Sequence, residues 1–356
     1  MPRQSPCIKV PKTQGQKAIT LVTKLELADK SLIPQKDGAN LCIPLIRAPE
    51  QVEFETIQDK IKNLSFETAV FMEKQLPNQT LSQALQNEIP QGLLPSMPQA
   101  FDVIGDIVIV DIPPQLKQYQ TAIGQALLKI QKNAKTILAK AGDIGGVYRI
   151  REYSFIAGEN KTQTIHKEFG CRFHVDVAKA YFSPRLSHEH ERVAGLVQAK
   201  EVVVDMFAGV GPFSVLIAKR NPEARVYAVD INPDAVGLLE KNVRANKVEN
   251  QVFPILSDAR TIAAITLKGF ADRVIMNLPE TAIDFVDAAC NLIKPEGGLV
   301  HFYGFIRTPD SVEDLQQKFT RSVEEKGRRV PGFLIAKKIR ETAPFESQVV
   351  LDAKIR

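Results

Sequence analysis

A glycine-containing turn between a predicted strand and a predicted helix is the feature of this sequence most able to bind a ligand. The β-branched run at 202–204 indicates a buried strand, residues 205–214 carry Gly209 and Gly211 spaced G-x-G, and residues 215–219 begin a helix. Glycine lets backbone N–H groups approach a ligand closely, and the helix N-terminus then lies beneath that ligand. The turn therefore predicts a cradle for a nucleotide-like ligand.

Acidic residues at two predicted strand ends distinguish between the cofactors that such a cradle can bind. Asp205 ends the strand before the glycines, where a carboxylate suits the amino group of a methionine moiety and repels a pyrophosphate. Asp230 ends the next strand, where a carboxylate accepts hydrogen bonds from ribose hydroxyls in both NAD and S-adenosylmethionine sites. Two strand-like segments, 331–339 and 347–355, predict a closing hairpin typical of methyltransferases. The pattern favours S-adenosylmethionine over NAD.

Asp258 and Ala259 follow the third predicted strand. Asp258 is placed to accept a hydrogen bond from an adenine amino group, with the Ala259 backbone nearby. Aspartate is also a preferred residue at the N-cap of a helix. From position alone, the two interpretations of Asp258 are equally good.

An Asn-x-Pro sequence, Asn277-Leu278-Pro279, ends the fourth predicted strand. In methyltransferases this strand end faces the transferred methyl group, and an amide with a backbone carbonyl suits a planar nitrogen acceptor. Enzymes that methylate exocyclic amines usually carry an aromatic residue after the proline, whereas this chain has Glu280. Adenine or cytosine amine chemistry is therefore less favoured, and a simple turn remains the alternative interpretation.

Polar residues are dense at 181–192, immediately before the predicted sheet, at a domain junction where ligand sites often form. Glu189, His190 and Arg192 are predicted to begin a helix. Glu189 and Glu191 are equally credible as favourable charges in its first turn.

The elements that position these residues fall into four segments. Residues 1–72 predict a small α+β domain, with strands at 18–22 and 39–45 and helical character at 23–31. A proline-rich linker follows at 73–98. Residues 99–183 predict an α+β domain of mostly antiparallel character. Residues 184–356 alternate strand and helix, which predicts a mainly parallel, doubly wound sheet.

The composition is that of an ordinary globular protein, with 356 residues, 44% hydrophobic and 24% charged. No apolar run approaches the roughly 20 residues needed to cross a membrane, and the first residues lack the apolar segment of a signal peptide. We therefore expect a cytoplasmic protein. The four cysteines form no C-x-x-C pair, so we expect free thiols and no cysteine-based zinc site.

Basic residues are clustered although the net charge is only +5. The two groups are Lys129, Lys132, Lys135, Lys140, Arg149 and Arg151, and Arg328, Arg329, Lys337, Lys338 and Arg340. Solvated faces and contacts to a polyanion explain this pattern equally well.

Several of these segments together resemble the archaeal and eukaryotic tRNA (guanine-37, N1)-methyltransferase family. The segments are residues 149–152, 164–168, 181–186, 205–213 and 277–279. The resemblance covers about residues 100–356, whereas the first 72 residues resemble the family's N-terminal tRNA-binding domain only by place and size. It implies a class I S-adenosylmethionine-dependent methyltransferase, with a Rossmann-like doubly wound sheet and a C-terminal antiparallel hairpin after two smaller α+β domains.

The resemblance also implies roles for individual residues. Glu189 would be the general base that removes the guanine N1 proton, and Arg149 would hydrogen-bond guanine O6, where negative charge develops. Asn277 would hold the guanine edge and the cofactor, and Tyr181 and Pro279 would stack on the extruded base. The cofactor contacts would be His190, Asp205, Phe207, Gly209, Gly211, Asp230, Ile231, Asp258, Ala259 and Asn277.

The activity implied is direct methyl transfer to N1 of guanosine 37 in tRNA, without a metal or a covalent intermediate. The middle domain and the basic groups would contact the anticodon stem-loop through phosphates, and the N-terminal domain would contact the outer corner of the tRNA. We expect a monomer.

Three alternatives stay open. The enzyme could also methylate C7 of a tricyclic wyosine precursor, or it could transfer an aminocarboxypropyl group to that base. It could also be an RNA-binding protein with an inactive methyltransferase domain, although the complete cofactor set argues against this.

Overall fold

The structure is a computed structural model that describes residues 2–73, 80–142 and 145–356. The chain divides into two compact units, Met1–Ala84 and Leu85–Arg356. Because the second unit spans the two regions predicted at 99–183 and 184–356, the boundary between those regions stays a prediction.

The first unit is built on a four-stranded antiparallel sheet with the strand order β2-β3-β1-β4. Ile8 and Val10 pack in its core with Ala18 and Val22, so a helix covers one face of the sheet. Its elements are β1 (Pro2–Pro11), α1 (Gly15–Lys24), β2 (Gln35–Asp37), β3 (Asn40–Pro44), α2 (Gln51–Lys60), β4 (Ser65–Met72) and the short helix α3 (Leu81–Ala84).

The strand predicted at 18–22 is wrong, because these residues lie within α1. Ala18 and Val22 are fully buried, and their i, i+4 spacing places them on one face of a helix. The helical character predicted for 23–31 is wrong beyond Lys24, where α1 ends. The prolines of β1 conceal a strand signal in the sequence, since proline cannot donate to a sheet ladder. The predicted linker lies partly on residues 74–79, outside the described residues.

The second unit begins with a four-stranded sheet and a separate hairpin. The elements are β5 (Phe101–Ile104), β6 (Ile107–Val110), α4 (Gln120–Ile130), β7 (Thr136–Lys140), β8 (Tyr153–Gly158), β9 (Gln163–Glu168) and β10 (Cys171–Asp176). The sheet order is β5-β6-β7-β8, in which β6 and β7 are parallel and the other pairs antiparallel, and β9 and β10 form the hairpin. The mostly antiparallel α+β character is as predicted.

A seven-stranded mixed sheet makes up the rest of the second unit. Its order is β13-β12-β11-β14-β15-β17-β16, with parallel pairing as far as β15 and an antiparallel hairpin of β16 and β17 at the edge. The strands are β11 (Val202–Asp205), β12 (Arg225–Asp230), β13 (Val252–Leu256), β14 (Arg273–Met276), β15 (Gly298–Arg307), β16 (Gly332–Ala343) and β17 (Glu346–Ile355). The helices are α5 (Ser187–Leu196), α6 (Pro212–Arg220), α7 (Pro233–Asn246), α8 (Ala259–Ala264), α9 (Val286–Leu292) and α10 (Val312–Glu324).

Helices cover both faces of this sheet, as the predicted alternation requires. Val203 and Val204 are both fully buried but belong to different core clusters, because successive side chains of a strand point to opposite faces. The predicted Rossmann-like sheet with its C-terminal hairpin is confirmed. None of the helices in the described part of the chain is both long and apolar enough to cross a bilayer.

Candidate active site

A cavity of about 530 Å³ opens at the carboxyl ends of the parallel strands. In doubly wound sheets this edge is where ligands bind. Eleven of the residues predicted for the site line the cavity: Arg149, Tyr181, His190, Phe207, Gly209, Asp230, Ile231, Asp258, Ala259, Asn277 and Pro279. Three further predicted residues, Glu189, Asp205 and Gly211, are described by the structure but are not among the lining residues.

The cofactor wall consists of the lining residues at 206–209, 230–232 and 257–259, which follow β11, β12 and β13. Gly209 and Gly211 have φ values of 56° and 89°, in the left-handed region that glycine adopts without strain. A Cβ on Gly211 would also lie 2.3 Å from Leu239 Cδ1. Both glycines are therefore favoured by backbone conformation, and Gly211 is favoured also by the close approach of the Leu239 side chain.

Asp230 links the glycine turn to the second strand. Its Oδ2 accepts a hydrogen bond from the Gly209 N–H at 2.7 Å, and its Oδ1 accepts one from the Asn232 N–H at 2.9 Å. Burial raises the pKa of Asp230, while these hydrogen bonds lower it. Each carboxylate oxygen has further acceptor capacity, so Asp230 can hold the turn and still accept from a ligand hydroxyl.

Asp205 lies beneath the turn and is fully buried. Its Oδ2 accepts a hydrogen bond from Ser214 Oγ at 2.8 Å, whereas its buried Oδ1 has no partner among the described residues. Burial, together with the nearby Asp230 charge, raises the pKa of Asp205 to about 7. Asn277 Oδ1, at the end of the neighbouring strand β14, is likewise buried without a described partner. Two unsatisfied acceptors on adjacent strand ends fit a ligand that carries an amino group.

Asp258 is the N-cap of α8, since its side chain accepts a hydrogen bond from the Arg260 N–H at 2.7 Å. Because it also lines the cavity, the structural role does not exclude the predicted contact with adenine. Ile231 is 40% exposed and offers apolar surface to the cavity. Phe207 packs edge-on against Phe285, with ring centroids 5.0 Å apart.

His190 reaches the cavity from α5 and is held by a residue for which the sequence predicted no role. Its Nδ1 is 2.6 Å from Glu168 Oε1 in β9, and its ring packs edge-on against Phe213 at 4.5 Å. A carboxylate on one ring nitrogen fixes the orientation of an imidazole and leaves the other nitrogen for a further contact. Glu168 lies in one of the segments that carry the family resemblance.

The acceptor wall consists of Arg149, Tyr181, Asn277, Pro279 and Glu280, all of which line the cavity. Tyr181 is 44% exposed, so its ring is available for stacking. The Arg149 side chain forms a two-point ion pair with Glu280: Nη1 donates to Oε2 at 2.6 Å and Nη2 donates to Oε1 at 2.7 Å. This pairing holds the pKa of Glu280 below its usual range. The sequence singled out Glu280 by its place after Pro279, but not the pairing with Arg149.

Glu189 lies next to His190 on α5, but its side chain is only 6% exposed. Its Oε2 accepts hydrogen bonds from Arg192 Nε at 2.9 Å and from the Tyr303 hydroxyl at 3.1 Å. Burial and the neighbouring Glu189 carboxylate raise the pKa of Tyr303 well above its usual value, so the hydroxyl remains a donor. These contacts leave Oε1 for another donor.

A buried chain of polar groups continues from Arg192 across the sheet. It is here called the Glu189 network and consists of Glu189, Tyr303, Arg192, Asp352, His301 and Arg273. Arg192 Nη1 donates to Asp352 Oδ2 at 2.5 Å, and Asp352 Oδ1 is 2.6 Å from His301 Nδ1. Arg273 donates to His301 Nε2 at 2.8 Å, so the His301 proton is on Nδ1 and is donated to Asp352. Although burial opposes it, hydrogen bonds from His301 and Arg192 lower the pKa of Asp352.

The basic groups predicted from the sequence have mixed roles. Lys140, Arg151 and Arg340 line the cavity, where they are suited to an anionic ligand. Arg328 instead donates to backbone carbonyls of Cys290, Ile293 and Lys294 at the end of α9, a structural contact. The four cysteines are buried and have free thiols.

Comparison with known proteins matches three segments of the chain to family domains. Residues 164–330 match the TRM5/TYW2 methyltransferase domain, residues 81–162 match the TYW2 N-terminal domain, and residues 7–53 match the tRNA methyltransferase 5 N-terminal domain. The tRNA (guanine(37)-N(1))-methyltransferase Trm5b of Pyrococcus abyssi is 39% identical over 98% of this chain and 98% of its own length. Its crystal structure has a TM-score of 0.70, covering 99% of both chains.

Two further solved relatives carry ligands. A complex of aTrm5 with tRNALeu is 33% identical, covers 98% of this chain and 99% of the other, and has a TM-score of 0.67. The Methanocaldococcus jannaschii TYW2 in complex with AdoMet is 31% identical, covers 72% and 99%, and has a TM-score of 0.56. With the sheet, the glycine turn and the cavity, these similarities show that the chain belongs to the TRM5/TYW2 methyltransferase family.

Proposed function

We propose that this chain transfers the methyl group of S-adenosylmethionine to N1 of guanosine 37 in tRNA. The observation that carries the proposal is one cavity in which the cofactor wall faces Arg149, Tyr181, Asn277 and Pro279. The relative from Pyrococcus abyssi, which matches over nearly the whole chain, is named for this activity. The solved complex with tRNALeu supports tRNA as the partner. We therefore also propose that the enzyme acts in the cytoplasm.

The residues of the cofactor wall fit S-adenosylmethionine, which supplies an electrophilic methyl group on sulfur. Asp230 would accept from the ribose hydroxyls, and Ile231 would cover the adenine together with Asp258 and Ala259. The unpartnered Oδ1 atoms of Asp205 and Asn277 would accept from the methionine amino group. Gly209 and Gly211 would keep the turn close to the ligand, and Phe207 and His190 would contact it from the cavity side.

Guanine N1 carries a proton, so methyl transfer requires a base and a group that stabilises the developing charge on O6. Arg149 is the proposed donor to O6, and such a donor contributes on the order of 3 kcal/mol to transition-state stabilisation. Tyr181 and Pro279 would hold the extruded base between them, because a stacked base must leave its stack to react. Asn277 would hold the guanine edge.

Glu189 is the proposed base, and its hydrogen bonds determine which of its oxygens would accept the proton. Its Oε2 is committed to Arg192 and Tyr303, so the proton would be accepted at Oε1. The Glu189 network would hold the carboxylate in place while His190, the next residue, contacts the cavity.

The decisive experiment is methyl transfer onto unmodified tRNA transcripts that carry guanosine or adenosine at position 37, followed by nucleoside analysis. We expect 1-methylguanosine from the first transcript and no product from the second. Methylation of the adenosine transcript, or equal use of both, would overturn the proposal.

The N-terminal unit is proposed to contact the outer corner of the tRNA, since residues 7–53 match an N-terminal domain of the family. The intact enzyme should then methylate a whole tRNA more efficiently than an isolated anticodon hairpin. Equal kcat/KM on the two substrates would argue against this role.

A second candidate is additional methylation of C7 in a tricyclic wyosine precursor. A relative named tRNA 4-demethylwyosine(37)-methyltransferase, which is 34% identical over 71% of this chain and 92% of its own length, favours it. A transcript carrying the precursor base, incubated with labelled S-adenosylmethionine, tests this activity. Transfer of the aminocarboxypropyl group instead of methyl would appear as a different mass increase on the same nucleoside.

A further inference from the structure

The ion pair between Arg149 and Glu280 joins two distant parts of the second unit. The residues are 131 positions apart, with Arg149 in a turn before β8 and Glu280 just after Pro279 in the segment that follows β14. Both line the cavity, and both nitrogen–oxygen contacts are short, at 2.6 and 2.7 Å. The pair therefore fixes the position of one acceptor-wall residue relative to another.

Arg149 depends on this partner for its orientation. Its backbone has φ of 54°, the left-handed conformation of a tight turn, and it lies outside any strand or helix. Within residues 2–73, 80–142 and 145–356, Glu280 is the only group that accepts a hydrogen bond from the Arg149 side chain. A long arginine side chain without such a partner samples many rotamers, at a cost of about 2 kcal/mol when one is selected.

The geometry leaves Arg149 able to bind a ligand while it is paired. A guanidinium has five N–H donors, and the fork to Glu280 uses one on each terminal nitrogen. The remaining donors on Nη1, Nη2 and Nε stay available for an acceptor in the cavity. A guanidinium that is already oriented loses less conformational entropy when it binds a carbonyl oxygen than a guanidinium that is not.

We propose that Glu280 is a positioning residue that orients the Arg149 guanidinium toward guanine O6. This inference rests on the proposed function, in which Arg149 stabilises O6. Glu280 acts through Arg149 and makes no contact with the base itself.

The test compares steady-state methylation of a guanosine-37 transcript by the full-length wild type, Glu280→Gln and Glu280→Asp. Loss of one charged hydrogen-bond partner should lower kcat by about tenfold in Glu280→Gln, with the tRNA KM changed by less than about twofold. Glu280→Asp, which keeps the carboxylate, should recover most of that loss. The control is Glu240→Gln, which removes a carboxylate that is similarly exposed (52% against 50%) and is paired with Arg244 on α7; it should leave kcat unchanged.

A double-mutant cycle separates positioning from other roles. In an Arg149→Ala background, Glu280→Gln should have no further effect, because the group it orients is gone. An equal effect in both backgrounds, or a higher kcat in Glu280→Gln, would overturn the inference.

An inosine-37 transcript tests for direct contact with the base, since inosine keeps O6 and the N1 proton but lacks the guanine 2-amino group. The penalty of Glu280→Gln should be the same on guanosine and inosine. A penalty that disappears on inosine would mean that Glu280 binds the 2-amino group, and the positioning role would be wrong. If the wild type makes no 1-methylguanosine, the proposed function itself fails; if it does and Glu280→Gln matches it, only this inference fails.

Discussion

The cofactor wall and the acceptor wall of the cavity are held in place by different kinds of contact. In the cofactor wall, carboxylates bond to backbone N–H groups that are nearby in sequence or in the turn after the neighbouring strand, as Asp230 does with Asn232 and Gly209 and Asp258 does with Arg260. In the acceptor wall, a side chain bonds to a side chain from a remote segment, as in the pair of Arg149 and Glu280.

The neighbouring Glu189 network is also built from remote side chains, with Arg192 and Asp352 separated by 160 residues. The backbone contacts at the strand ends hold carboxylates that can bind any ligand with a ribose and an amino group. Remote side-chain pairs form only when separate segments of the chain have folded together. The comparison indicates that the cofactor site is a property of the sheet, whereas the acceptor site depends on how separate segments come together.

The largest effect is expected for Glu189, the proposed general base that the Glu189 network holds in place. Glu189→Gln should lower turnover on tRNA by about 10²- to 10⁴-fold, the range typical of a lost general base, with little change in cofactor affinity. The measurement is single-turnover methylation with the cofactor dissociation constant determined in parallel. Glu191→Gln, two positions along α5 and paired with Arg220 at the surface, is the control and should leave turnover unchanged. Unchanged turnover in Glu189→Gln at neutral pH would remove it as the base.

Breaking the remote contacts should also reduce stability strongly. Arg192→Met leaves Asp352, which is fully buried, without its cationic partner, and breaking such a buried pair costs roughly 3–5 kcal/mol. Urea unfolding measures the change. Arg220→Met removes an exposed pair with Glu191 and should cost no more than about 1 kcal/mol. Similar small losses in both variants would show that the network does not stabilise the second unit.

Asp205 provides a pH-dependent test of the cofactor wall. Because burial raises its pKa to about 7, the folded protein keeps a proton that the unfolded chain loses near its ordinary value. The contribution of Asp205 to stability is therefore complete below about pH 4, is lost by roughly 1.4 kcal/mol per pH unit between about pH 4 and 7, and does not change further above that range. In urea unfolding, Asp205→Asn should gain stability relative to the wild type between about pH 4 and 7, and the difference should level off above about pH 7. A difference that is constant with pH would contradict this.

The smallest effect concerns the glycine turn itself. Gly211→Ala places a Cβ at a positive φ and 2.3 Å from Leu239, and we expect a loss of about 1–3 kcal/mol in unfolding free energy. Gly237→Ala, on α7 with no atom within 4 Å of the added carbon, should instead stabilise by about 0.5–1 kcal/mol. A tolerated Gly211→Ala would mean that the turn can relax, and the cofactor wall would be less rigid than its contacts indicate.

The fold of the second unit could be predicted because each of its signals is local. The run at 202–204 and the carboxylates at strand ends are separated by regular helices, and a parallel sheet places all those ends at one edge. The first unit was less predictable, since a β-branched run at 18–22 is compatible with helix or strand and the prolines of β1 argue against a central strand. At residues 18–22 the helix is favoured because Ala18 and Val22 pack together against the sheet.

The sequence by itself determined the sheet and the glycine turn, because period and spacing along one chain are enough to place them, whereas the residues proposed for the acceptor wall came from its resemblance to a known family. Only the tertiary structure decided that Arg149 is paired with Glu280, that Glu168 holds His190, and that Glu189 lies behind the cavity with Arg192 and Tyr303. Side-chain hydrogen bonds act over about 3 Å and have no periodicity along the chain, so segments that are far apart in sequence reveal them only once folding has brought them together.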